Sequence, residues 1–116
     1  MIERNGVLSK TQMLKGVLEG CVLQIVAQHE TYGYQLVQEL RAVGFTDVIG
    51  GTIYPILQKL EKKSLIIGKM KPSPEGPSRK YFSITPDGRA ELTAFLRDWQ
   101  EINNNVKRIF KLGGEE

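Results

Sequence analysis

Only one cysteine, Cys21, occurs in the 116 residues. That excludes an internal disulfide and any multi-cysteine zinc site. One histidine, His29, removes most metal-ligand sets and catalytic triads. Ser9, Ser64, Ser73, Ser78 and Ser83 have neither a second histidine nor a nucleophile-elbow motif to work with. No enzymatic activity and no cofactor are therefore expected. No apolar run approaches the ~18–20 residues that a membrane helix needs. The opening Met1-Ile2-Glu3-Arg4-Asn5-Gly6 has no apolar stretch directly behind it and no small-residue cleavage site. No secretory leader is expected, and the expected location is the cytoplasm. What remains is ordinary globular usage, 41% apolar and 25% charged, in a length that suits one domain with one core.

The charge is unevenly placed. Between Lys59 and Lys80 lie seven cations (Lys59, Lys62, Lys63, Lys69, Lys71, Arg79, Lys80) against Glu61 and Glu75. That segment carries +5 of the chain's net +3, leaving −2 for the rest. A concentrated basic segment is the footprint of a polyanion partner. The plain alternative is a solvated surface whose lysines serve solubility.

Apolar periodicity sets the elements. Met13, Leu14, Val17, Leu18, Cys21, Val22, Ile25 and Val26 recur in pairs every four residues and predict a helix over 11–28. Gly16 and Gly20 on it suggest that another backbone approaches closely. After a break at 30–33 a second helix points Leu36, Val37, Leu40 and Val43 inward, and Gly44 stops it. Residues 45–51 read as a loop. A third helix is expected from Thr52 as N-cap, with Pro55 at its third position and Ile53, Ile56, Leu57 and Leu60 as core stripe. It should end near Lys63-Ser64. Residues 65–71 and 79–84 read as two strands, and residues 72–78 as a loop without strand structure. Thr85-Pro86-Asp87 is a strong helix start, and the last helix should run to about Leu112.

The order helix, helix, helix, hairpin, long helix implies an α+β, mainly α architecture. It would comprise a winged helix-turn-helix unit over residues 8–85 and a C-terminal dimerisation helix over residues 86–112. On the third helix the side away from the core carries Pro55, Gln58 and Lys62, flanked by Tyr54 and Lys59. Glutamine bonds base edges bidentately in the major groove, whereas lysine and tyrosine contact phosphates. Directly after it, Lys69 and Lys71 share one face of a strand, and Arg79 and Lys80 stand across from them beside the tip. Such a wing reaches along the backbone into a neighbouring minor groove. Charges there also discourage edge-to-edge aggregation. In the last helix Leu92, Phe95, Trp99, Ile102, Val106 and Ile109 are spaced 3, 4, 3, 4, 3, a heptad seam. At about 1.5 Å per residue so long a helix overruns a small domain, so a homodimer is expected, with an intramolecular core helix as the alternative. Trp99 near the two-fold axis serves either as core or as one wall for a flat aromatic ligand.

Four stretches carry a resemblance. They are Leu14-Lys15-Gly16-Val17-Leu18-Glu19-Gly20-Cys21-Val22-Leu23, Tyr32-Gly33-Tyr34-Gln35-Leu36, Gly51-Thr52-Ile53-Tyr54-Pro55-Ile56-Leu57-Gln58-Lys59-Leu60-Glu61, and Gly76-Pro77-Ser78-Arg79-Lys80-Tyr81-Phe82-Ser83-Ile84-Thr85-Pro86-Asp87-Gly88. Together they resemble the PadR family of winged-helix transcriptional regulators in its short form. The resemblance implies a homodimeric repressor of double-stranded inverted-repeat operators, released by a planar aromatic or phenolic small molecule. It places Tyr54, Gln58, Lys59 and Lys62 on the DNA-facing helix, Arg79 and Lys80 in the wing, and Tyr34 at the start of the second helix near the DNA backbone. The full set expected at DNA is Tyr34, Thr52, Tyr54, Pro55, Gln58, Lys59, Lys62, Lys69, Lys71, Arg79 and Lys80. By the same resemblance Leu92, Leu96, Trp99 and Asn103 would hold the effector. Two departures stand out: Pro77-Ser78 replaces extra wing arginines, and Ser64 replaces the glycine that usually follows the third helix. A winged-helix protein-interaction module without DNA binding remains the alternative function.

Overall fold

A computed structural model describes residues 9–111 of the chain. Four helices and a three-stranded sheet follow in the order α1 (Lys10–Gln28), β1 (Thr31–Tyr32), α2 (Gly33–Ala42), α3 (Gly50–Lys62), β2 (Ile66–Ser73), β3 (Gly76–Ile84) and α4 (Pro86–Phe110). The expected ends at residues 8 and 112 lie outside the described residues.

The core sits where α1, α2 and α3 meet the sheet. Leu18, Val22, Leu23 and Val26 of α1 pack with Leu36, Val37 and Leu40 of α2 and Ile53, Leu57 and Leu60 of α3. Ile66 and Phe82 close it from the strands. Each such fully buried side chain contributes ~1.5–3 kcal/mol. The helical periodicities of α1, α2 and α3 are thus spent on one shared interior. Ile56 is only partly buried against it.

The sheet is antiparallel in the order β1-β3-β2. β1 was read as a break; its two residues pair Thr31 with Phe82 and Tyr32 with Tyr81. The hairpin is longer than its composition suggests. Both strands continue through most of the stretch expected to be a loop, down to a Ser73–Gly76 pair. The ladder shifts register between Lys71 and Ser73. Pro72 there faces Pro77 and Ser78, so neither proline has to supply a ladder amide.

The start of α3 also differs from expectation. Its N-cap is Ile49, in extended geometry, and Gly50 and Gly51 are already helical. The Thr52 amide donates to the Ile49 carbonyl at 2.9 Å. Thr52 is therefore not the cap, and Pro55 lies inside the helix rather than at its third position. Its missing N–H leaves the Gly51 carbonyl, on the exposed side, to solvent. Helix α3 then turns into β2 through Ser64, whose φ is +61°, the left-handed conformation that glycine would adopt without penalty. The next joint is tighter. Buried Thr85 caps α4 by accepting from the Gly88 amide at 2.9 Å, and its backbone N–H donates to the Leu65 carbonyl at 3.1 Å.

Helix α4 leaves the body. Gly20 of α1 passes directly beneath the Phe95 ring, where a Cβ would collide. The close approach is by a side chain, not by the backbone expected, and Gly16 has open space. Leu92 and Phe95 are half-buried on α1. Beyond them Trp99, Ile102, Val106, Ile109 and Phe110 are all exposed, from 40% to 78%. Met13 and Val43, expected to face inward, are exposed as well, at 64% and 75%.

Candidate nucleic-acid interface

The amphipathic pattern of α3 turns Ile53, Leu57 and Leu60 into the core and leaves Thr52, Tyr54, Pro55, Gln58, Lys59 and Lys62 exposed. Tyr54 is fixed by a glycine: a Cβ on Gly33, the first residue of α2, would stand 2.6 Å from its ring. Beside this face lies a cleft of about 400 Å³ between α3, the start of α2 and the wing. Tyr34, Tyr54, Gln58, Arg79 and Lys80 line it, as five of the residues expected at DNA. Tyr32 and Glu61 line it too. Neither was singled out from the sequence, although Tyr32 stands in the Tyr-Gly-Tyr run.

The other expected residues are placed elsewhere. Thr52 edges a separate hollow of about 390 Å³ with Glu19 and Asp47. Pro55 and Lys62 stay on the exposed side of α3 outside the cleft. Lys69 and Lys71 lie on the sheet face that also carries Tyr81 and Arg79, because Lys69 pairs with Tyr81 and Lys71 with Arg79. Lys80 pairs with Met70 and projects to the opposite face, toward α3.

Several of these cations already have carboxylate partners. Lys59 Nζ lies 2.7 Å from Glu19, Lys71 Nζ 2.6 Å from Glu30, and Lys80 Nζ 2.9 Å from Glu61. All three pairs are solvent-accessible, so each is worth at most ~1 kcal/mol and is easily exchanged for a phosphate. Among the described residues Lys62, Lys69 and Arg79 have no carboxylate within ion-pair distance.

A second hollow, about 650 Å³, lies between α1, α2 and α4. Leu92, Leu96 and Trp99 line it, together with Val17, Cys21, Ile25, Leu40 and Phe45, which the sequence did not single out for this role. Asn103, expected there, is not among its lining residues. It stands one turn beyond Trp99 on α4. Burial pushes the Cys21 thiol upward, which keeps it protonated and unreactive. His29, the C-cap of α1, lies at the rim near Glu39. Its Nδ1 faces the Glu30 carbonyl at 3.1 Å and its Nε2 the Glu39 carboxylate at 3.2 Å. Two acceptors on one ring favour the imidazolium, and these bonds raise its pKa.

Three helices with a two-stranded wing beside the polar face of the third define a winged helix-turn-helix protein. The comparisons give the family. The profile of the transcriptional regulator PadR-like family matches residues 22–94, and the chain belongs to that family. A Streptococcus transcriptional regulator of known structure is 53% identical with a TM-score of 0.78, covering 86% of this chain and 98% of its own. A PadR-like transcriptional regulator from Bacillus cereus is 47% identical, also at 0.78, covering 90% and 99%. Transcriptional regulator Rv3488 of Mycobacterium tuberculosis is 35% identical over 94 residues, 81% of each chain. The family and these relatives are transcriptional regulators, not enzymes. No described helix is long and apolar enough to cross a membrane.

Proposed function

We propose that the protein regulates transcription by binding a double-stranded inverted-repeat operator as a homodimer, and that it acts as a repressor. The observation that carries this reading is the convergence of Tyr54 and Gln58 of α3 with Arg79 and Lys80 of the wing on one cleft. A base-edge donor and acceptor, an aromatic hydroxyl and two cations there match what a groove and its phosphates offer. The exposed seam of α4 supports the dimer, since two copies joined through it present two such faces to one duplex.

The hollow beside Trp99 has the size and apolar lining of a small-molecule site. In the dimer it would take a planar aromatic or phenolic effector, and binding there would shift the spacing of the two α3 helices and release the operator.

The test is duplex titration over a range of salt. Each phosphate contact contributes about 0.9 to the log–log slope. Lys62→Ala with Arg79→Ala lowers affinity for cognate and random duplexes alike and flattens that slope. Binding without a salt slope, or no duplex binding at all, contradicts the reading. The carboxylates at Lys59, Lys71 and Lys80 favour a second reading, a protein-interaction module, because they lower the positive potential of the face. An absent slope, or no duplex binding, would favour it.

A further inference from the structure

The geometry points to Tyr32, backed by Tyr81, as a positioning residue that holds Arg79 ready for a DNA phosphate. This inference rests on the nucleic-acid reading of the cleft. Tyr32, Tyr81, Arg79 and Lys71 share one face of the sheet, because Tyr32 pairs with Tyr81 and Lys71 with Arg79. The Arg79 guanidinium sits over the Tyr32 ring, 4.4 Å from its centroid. The Tyr81 ring meets Tyr32 edge-on, with centroids 5.2 Å apart and planes at 66°. Tyr32 therefore contacts the Tyr81 ring as well as the guanidinium. Lys71 stands 5.7 Å from the Tyr81 centroid but is tied to Glu30.

The consequence follows from what each cation is bonded to. In the wing, Lys71 and Lys80 both face carboxylates, so engaging a phosphate means exchanging one anion for another. Arg79 faces a ring instead, and among the described residues no carboxylate competes for it. A guanidinium held over a ring gives no N–H donor to a competing carboxylate, so its fork stays available to a phosphate. The cation–π contact also removes part of the rotamer freedom that a long side chain would otherwise lose on binding. Arg79 lines the cleft beside Gln58 and Tyr54, so the fork is held where α3 and the wing meet the backbone. Tyr32 itself need not touch DNA.

The experiment is a double-mutant cycle on duplex affinity at low salt, using the full chain. Arg79→Ala lowers affinity about tenfold and flattens the salt slope by about one unit. Tyr32→Leu costs about three- to tenfold, and the double variant binds no worse than Arg79→Ala alone. Tyr32→Phe, which keeps the ring, restores binding. In the unbound wild type the Arg79 Hδ protons carry an upfield ring-current shift, which requires no variant and decides the matter if Tyr32→Leu fails to fold. Additive losses, wild-type binding by Tyr32→Leu while Arg79→Ala is impaired, or unshifted Hδ protons would overturn the inference alone. Wild-type affinity in both Arg79→Ala and Lys62→Ala would overturn the nucleic-acid reading and this inference with it.

Discussion

Two faces of the molecule are finished to different degrees. On the polar face of α3 and the wing, the chain supplies partners for its own charges: Glu19, Glu30 and Glu61 each hold a lysine. On the apolar face of α4, Leu92 and Phe95 are half-buried, and the described residues leave the rest of the seam exposed. Trp99, Ile102, Val106, Ile109 and Phe110 project from one side of a 25-residue helix into solvent. A polar face loses little by staying in water, because its ion pairs are weak and exchangeable. An apolar stripe of this length is an unfinished core, and in the proposed homodimer a second copy completes it.

The largest effect should come from breaking the apolar side. Val106→Asp places a charge in the seam, and sedimentation should show single chains. Without a joined pair, operator affinity falls by about 100-fold or more, the usual scale of a lost second attachment. A dimer that survives Val106→Asp would move the interface elsewhere.

Next in size is the reader on the polar side. Gln58→Ala should relax base preference at one position per half-site by about 1–3 kcal/mol. Competition among single-base operator variants measures it, and equal weakening of cognate and random duplexes would remove Gln58 from base reading. A smaller change sharpens the charge balance. Glu61→Gln frees Lys80, so random-duplex affinity should rise about two- to fivefold, on the scale of one exposed ion pair. Unchanged affinity would mean that Lys80 never reaches DNA.

The smallest effect lies at the rim between the two faces. The folded chain holds the His29 imidazolium more tightly than the unfolded chain does. The stability gained is full below the ordinary imidazole range and fades as pH rises through the raised value. His29→Asn should flatten the dependence of Tm on pH in that interval, while a parallel profile would leave the contact without weight.

The same contrast explains what the sequence could reveal. Helices α1, α2 and α4 and the Thr85 cap were legible because periodicity and capping chemistry are local, whereas Ser64 stood out only through the resemblance, which has glycine there. Met13 and Val43 were legible as apolar but not as uncovered, whereas the length of α4 already pointed its far half past the domain. Periodicity marks an apolar face without saying whether the same chain or another one covers it. The start of α3 was misread because two glycines usually punctuate a turn, whereas Val48 is buried and Tyr54 packs beside Gly50. Strand β1 is two residues long, too short for alternation to register, and exists because β3 offers it an edge. For the candidate site, residue types pointed to the cations and to Gln58. They could not show that Lys80 leaves the face of Lys69 and Lys71, or that Glu61 and Tyr32 enter the cleft. Both depend on the register of β3.

The account is tested most directly by sedimentation equilibrium of the purified chain, alone and with an inverted-repeat duplex that it regulates. It predicts a dimer in free solution and two chains per duplex, dissociated together by salt. A lone monomer that leaves the duplex unbound would contradict it.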